Sequence, residues 1–369
     1  MTDNRSFWLC LYLMSVPCGM YIYGFFPAPY YVFFILSIIL SLIFLPNKVI
    51  VTPAISFITT LLVFAILFTD SKVNVWSYYL IGVFAFYYVI IFSTSVSNAK
   101  LKIIIYHVVL AAVIICAIDT IYRFSFPKKE YIDAIIEQGN NDLMFYAYKH
   151  SLIFQDSNFM GLYLLSATFL WINNRNEISN KKYYSLLISL VVLVSLTFSR
   201  AAIAGLAFGF IAHIYFSIKG KHIMRARSFL LMILILITSA LLFLTVSSPS
   251  GLHITAFYDG SFITKLTILD NFITTMENKD IYGVLFGWGL DNTSSYWGIA
   301  AHNLFFTLIL ETGVVGFIII LLPFIFYSFK HKEIAPQAIA LSIACFSFGL
   351  IFSPITIPFA LNVISVRNK

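Results

Sequence analysis

Apolar runs of about bilayer-crossing length follow one another along nearly the whole chain, and little is left with which to build a water-soluble core. They fall near 7–24, 29–45, 50–68, 73–94, 103–122, 152–172, 184–198, 201–218, 229–246, 303–328 and 335–352. A short apolar piece follows near 355–366, interrupted by Pro354 and Pro358. The count is about eleven spans, or about twelve if that piece returns across the membrane. Charged residues make up only 11% of the chain and hydrophobic ones 60%, whereas a soluble domain is about a quarter charged. A membrane β-barrel would show short alternating segments instead. The expected fold class is therefore all-α, a polytopic membrane protein. The first run, from Phe7, has no clear small-residue cleavage site and reads as a retained helix. Cys10, Cys18, Cys116 and Cys345 lie in apolar segments with no metal-ligand spacing and no disulfide framework.

Charge gives the orientation. With the N-terminus and Arg5 in the cytoplasm, alternate loops carry Lys48; Lys100 and Lys102; Arg175, Lys181 and Lys182; Lys219, Lys221, Arg225 and Arg227; and Lys330 and Lys332. All fall on one side, as the positive-inside rule requires. The net charge of +7 is then a topology signal and not a nucleic-acid footprint. Three regions follow: residues 1–246 with nine spans, a large outer loop at 247–302, and residues 303–369 with the remaining spans. In the outer loop, Phe262, Leu266, Leu269, Phe272, Ile273 and Met276 have helical spacing. A second outer loop, near 124–150, contains an amphipathic stretch at Tyr131–Glu137.

The polar residues that interrupt apolar sequence are the candidate chemistry. Residues 287–316 read GWGLDNTSSYWGIAAHNLFFTLILETGVVG. Two readings of His302 stand: an interfacial cap shared with Asn303, or a general base facing outward, since an imidazole titrates near neutrality. Glu311 would sit about 13 Å deeper on an unbroken helix and on a different face, so the two should not touch. A carboxylate at that depth is either a structural partner for another helix or part of the site. Gly313 and Gly316 suit close helix contact. Ser199-Arg200 forms an outer hairpin tip where a guanidinium and backbone N–H groups suit phosphate; an interfacial anchor is the plainer reading. Asp156 and Asn158 open a span at the same face, where a helix-terminal charge and nothing more is the plainer reading of Asp156. Asp119 and Arg123, four apart, suit a structural ion pair. Trp288, Tyr296 and Trp297 suit sugar stacking or interfacial anchoring.

In order and sidedness these pieces resemble the O-antigen ligase/polymerase superfamily. The resemblance rests on FQDSNFMGLYL around Asp156, the Ser199-Arg200 tip, FGWGLDN, and the His302-Asn303…Glu311-x-Gly313-x-x-Gly316 run. It implies a GT-C-like glycosyltransferase in the bacterial cytoplasmic (inner) membrane, multi-pass, with its active site facing the periplasm or exterior. The donor would be a polyprenyl-diphosphate-linked oligosaccharide, the enzyme would be metal-independent, and no cofactor is implied. Arg200 would hold the diphosphate and His302 would deprotonate the acceptor hydroxyl, with Glu311 in support. Ser199, Asn303, Asp156 and Asn158 would line the substrate site. Where the family carries a second arginine this chain has Lys265, a point charge in place of a fork; Arg123 or Lys279 would share that contact. The implied partners are membrane lipid, a chain-length regulator and a flippase, and no nucleic acid. The polymerase branch is preferred to the O-antigen ligase. A polysaccharide-lipid flippase or secondary transporter is the alternative of another class, drawing on Asp119 and Glu311.

Overall fold

The computed structural model describes residues 2–18, 32–37, 39, 82, 85–86, 88–90, 93, 96–138, 146–154, 156–175, 179–217, 260–290, 292–298, 303–345 and 356–367. The expected spans near 50–68 and 229–246 lie outside the described residues, as do His302 and the start of the large outer loop. Among the described residues there is no strand, only an isolated antiparallel bridge between His150 and Asp156.

In chain order the helices are α1 (Thr2–Ser15), α2 (Asn98–Ser125), α3 (Lys129–Gln138), α4 (Ser157–Asn173), α5 (Asn180–Leu196) and α6 (Arg200–Ser217). Next come α7 (Gly260–Asn278), α8 (Ile281–Phe286) and α9 (Thr293–Trp297), named the outer segment after the loop expected at 247–302. The last are α10 (Leu304–Lys330), α11 (Ala335–Ala344) and α12 (Ile357–Arg367). Two of these, α2 and α6, are long and apolar enough to cross a membrane. With 28 residues α2 extends about 42 Å, more than the hydrocarbon thickness of about 30 Å. The helix expected near 262–277 is α7, and the amphipathic stretch at 131–137 lies in α3.

At the centre is α4, SNFMGLYLLSATFLWIN, buried on every face from Met160 to Ile172. A helix apolar all round has to be enclosed, and α4 packs against α2, α5, α6, α11 and α12. One end of this bundle gathers the C-termini of α2 and α5 and the N-termini of α4 and α6. Arg123 of α2 donates to Leu196 O at 3.2 Å there, and Ser157 Oγ of α4 donates to Thr197 O at 2.8 Å. At the opposite end Trp171 Nε1 donates to Tyr183 O at 3.0 Å and Asn173 Nδ2 to Glu333 O at 2.8 Å. The helix ends on that side carry Lys100, Lys102, Arg175, Lys181, Lys182, Lys330 and Lys332. Elsewhere large apolar side chains face outward in stripes, such as Ile114, Ile118 and Ile121 on α2 and Ile188 and Val192 on α5.

The short apolar piece near 355–366 is α12. Every residue from Ile357 to Val366 is buried, and its eleven residues reach only about 16 Å. Side-chain amides hold it. Gln337 Nε2 donates to Ser166 O at 2.8 Å and to Ser166 Oγ at 3.0 Å. Asn362 Nδ2 donates to Gln337 Oε1 at 2.6 Å, and Asn173 Nδ2 to Asn362 Oδ1 at 3.1 Å. Ser365 Oγ donates to Asn174 Oδ1. Each donor has an acceptor, so α4, α11 and α12 are joined by a satisfied polar chain and not by an unmet polar cost.

Candidate functional site

The polar residues singled out by sequence fall into two groups, one at the α2/α4/α5/α6 end of the bundle and one where the outer segment meets α10. In the first group α4 begins at Asp156, whose carboxylate accepts from Asn158 N at 2.8 Å and Asn158 Nδ2 at 3.2 Å. This is N-capping: the side chain satisfies a backbone donor that the first turn leaves free. The α5–α6 tip is Thr197-Phe198-Ser199. Thr197 N donates to Val194 O and Phe198 N to Ser195 O, both at 3.2 Å, while Ser199 N donates to Thr197 Oγ1 at 3.2 Å. Ala202 N donates to Ser199 Oγ at 3.4 Å. Those N–H groups are therefore engaged within the tip and do not face a ligand. Ser199 is buried, and Arg200, the first residue of α6, is exposed. The Ser157–Thr197 bond, with Thr197, Ser199 and Ala202 close to Gly161, seats the tip on the first turns of α4, which Asp156 and Asn158 open.

Arg123 does not share this surface. It is fully buried, with Nη1 donating to Tyr148 O at 2.7 Å and Nη2 to Leu196 O at 3.2 Å and Thr120 Oγ1 at 3.3 Å. Its Nε lies 3.4 Å from Asp119 Oδ2, the ion pair expected from their spacing. The proposed diphosphate contact is thus corrected: the guanidinium is already occupied by protein groups. The other Asp119 oxygen accepts from Ser151 Oγ at 3.0 Å and from Leu152 N at 2.8 Å. His150 lies in the same loop. Its Nδ1 is buried and finds no hydrogen-bond partner among the described residues, and burial holds the imidazole below its ordinary pKa.

In the second group Asn303 caps α10, accepting from Phe305 N at 3.0 Å and Phe306 N at 3.2 Å. The cap reading of Asn303 is what the geometry shows. Leu304 and Phe305 line one apolar cleft of about 730 Å³ with Leu162 of α4. The cleft runs between α10 and α11 to Ser328 and Lys332. Eight residues into α10 lies Glu311, buried, with Oε1 accepting from Thr293 N of α9 at 3.4 Å. A carboxylate there meets the N-terminus of a short helix and ties the outer segment to α10.

Gly313 makes the close helix contact expected of it, against Leu285 of α8, and it also breaks its own helix. It takes φ +66°, ψ −178°, and breaks α10. A Cβ on it would overlap the carbonyl of Leu285, and one on Gly287 (φ +79°) would overlap the carbonyl of Glu311. The break leaves carbonyls of the preceding turn to the outer segment. Trp288 N donates to Leu310 O at 2.8 Å and Gly289 N to Glu311 O at 2.9 Å. Lys279 Nζ also donates to Leu310 O, at 3.1 Å, and to Gly283 O at 3.3 Å, and lies 4.0 Å from the Trp288 ring centroid. Burial lowers its pKa to about 8, with Asp280 opposing the shift. Lys279 is thus a clamp across the interlocked FGWG and ETG segments. Trp288 packs on Tyr296 with ring centroids 4.2 Å apart, and Trp297 Nε1 donates to Thr275 Oγ1 at 3.1 Å. Tyr296 is the exposed ring of the set.

The backbone of Lys265 lies in α7, its side chain outside the described residues. Among the described residues no three His, Cys, Asp or Glu side chains gather to hold a metal ion. No model of a known protein family matches the chain, and no curated protein matches it.

Proposed function

We propose that this chain is a polytopic membrane glycosyltransferase of GT-C-like architecture. It polymerises polyprenyl-diphosphate-linked oligosaccharide repeat units at the outer face of the bacterial cytoplasmic membrane, in O-antigen, capsule or exopolysaccharide synthesis. The observation that carries the reading is the seating of the Ser199-Arg200 tip on the first turns of α4, at the end of the bundle away from the basic helix ends. Under the positive-inside rule that end faces outward. An exposed guanidinium there suits a diphosphate leaving group, whose charge must be held as the glycosidic bond breaks. The apolar cleft that opens beside α4 and α10 suits a polyprenyl chain, and exposed Tyr296 suits a sugar face. His302, which adjoins the α10 cap, takes the proton from the acceptor hydroxyl. Glu311 acts as the joint that holds the outer segment in place, and the second diphosphate contact falls to Lys265. The O-antigen ligase reaction uses the same donor and leaving group and differs in acceptor. The transporter reading draws on Asp119 and Glu311, but Asp119 is engaged by Arg123, Ser151 and Leu152, and Glu311 accepts from Thr293 N.

Deletion of the gene with inspection of surface polysaccharide tests this. In a lipopolysaccharide-bearing host a polymerase deletion leaves single repeat units on the core, and a ligase deletion leaves none. An unchanged length ladder would refute both. Arg200→Lys is expected to be nearly as damaging as Arg200→Ala, because a point charge does not replace a bidentate fork. Full polymer in the Lys variant would reduce Arg200 to an anchor.

A further inference from the structure

Arg123 and its neighbour Phe124 end α2 at the place where two other segments arrive. The guanidinium donates to Tyr148 O of the loop before α4 and to Leu196 O of the α5–α6 tip. The Phe124 ring stacks on Tyr148, centroids 5.1 Å apart at 26°, and meets Phe198 edge-on at 5.9 Å. Tyr148 and Phe198 also meet each other at 6.4 Å. Consecutive residues of one helix thus grip both segments, one through hydrogen bonds and one through rings. Asp119, one turn earlier, completes the grip by accepting from Ser151 Oγ, Leu152 N and Ile153 N at 3.0, 2.8 and 3.3 Å.

What is gripped is strained. Phe198 has φ +54°, and it is the non-glycine residue in the left-handed region among the described residues. A bulky side chain disfavours that conformation, and such residues persist where their surroundings over-determine them. Phe198 stands two residues before Arg200, so its backbone sets the direction in which α6 leaves the tip.

We propose that Arg123 and Phe124 are positioning residues: a clasp that holds Phe198 in its left-handed conformation and thereby fixes Arg200 against the Asp156 start of α4. This rests on the reading of Arg200 as the cation for an anionic leaving group. The clasp itself touches no substrate. It acts by denying the tip its relaxed conformation, in which α6 would start in another direction.

The full chain in detergent, carrying Thr197→Cys as a reporter in the tip, tests the clasp without reference to activity. Thr197 is fully buried, and Thr168→Cys on α4 provides an equally buried control. Labelling by a thiol reagent is located by peptide mass. Phe124→Ala and Arg123→Lys should each accelerate labelling at 197 on the order of tenfold through local opening, with position 168 still protected. Phe124→Ala leaves the buried ion pair intact and keeps the test usable if the Arg123 variant does not fold. Protection at 197 in both variants, or loss of protection at 168 alongside it, overturns the clasp. A second arm measures glycan transfer from a lipid-linked donor. Arg123→Lys should lower transfer in the native background and cost nothing further in an Arg200→Ala background. Additive losses would make Arg123 a general stabiliser and sink the proposal. If the native chain transfers no glycan, the glycosyltransferase reading fails while the labelling result still decides the clasp.

Discussion

At Gly313 and Gly287 two chain segments approach so closely that neither position has room for a methyl group. Gly298 also has positive φ (+68°) but nothing within 4 Å of where a Cβ would stand. The comparison separates two costs. Gly298→Ala carries only the left-handed penalty, about 1–2 kcal/mol, whereas Gly313→Ala adds a collision with the Leu285 carbonyl that has to move the outer segment. Gly313→Ala should therefore lower the thermal midpoint of the detergent-solubilised chain by clearly more than Gly298→Ala; equal shifts would mean the interlock contributes little. At this scale the sequence is partly legible. Asp156 and Asn303 can be read as caps because capping is a local matter of a short polar side chain ahead of an apolar run. At Gly313 the close contact is legible but the break is not, since a Gly-x-x-Gly pattern looks the same whether or not the helix continues through it. Phe198 carries no local signal either, because its conformation is imposed by contacts from α2.

Among the elements, the outer segment of α7, α8 and α9 is fastened to α10 by Glu311, by the Trp288 and Gly289 amides, and by Lys279. Phe272 of α7 adds a ring stacked on Phe306 of α10, centroids 4.3 Å apart. The Lys279 ammonium is half-buried and gives up its proton near pH 8, against 10.5 for an unperturbed lysine. Between those values the unfolded chain binds more protons than the folded one, so the lysine's contribution to stability rises with pH across that window and is flat below it. The difference in thermal midpoint between the native chain and Lys279→Met should shift in favour of the native chain from about pH 8 to about pH 10.5. A constant difference would show that burial does not perturb the group. The helix α7 is legible from its apolar spacing, as α2 is from its length. The fastening is not legible, because Lys279 and Leu310 are brought together only by the fold.

For the molecule as a whole, the outward apolar stripes can be tested for whether they face lipid or water. Ile114, 50% exposed near the middle of α2, lies in such a stripe. In water Ile114→Lys at an exposed site would change stability by about 0.5 kcal/mol or less, but on a lipid-facing surface the ammonium costs about 2.5–3.5 kcal/mol at mid-depth. The variant should lose yield in carbonate-washed membranes, while Lys102→Ile, at the basic end of the same helix, should not. Undiminished membrane yield for Ile114→Lys would argue that α2 does not face lipid. Helical class and the place of most described helices follow from apolar length alone. The relation between α4 and its neighbours does not, since an all-apolar helix gives no face from which to read a partner. That ambiguity is greatest for α12. A helix with no outward face has no preference between water and lipid, so neither medium can recruit it; it can be seated only in a groove that α2, α4 and α11 have already built. Its amides are then the key to an order of assembly: they match nothing until Ser166, Asn173 and Gln337 are in place, and α12, made after all three, closes the bundle by completing their hydrogen bonds.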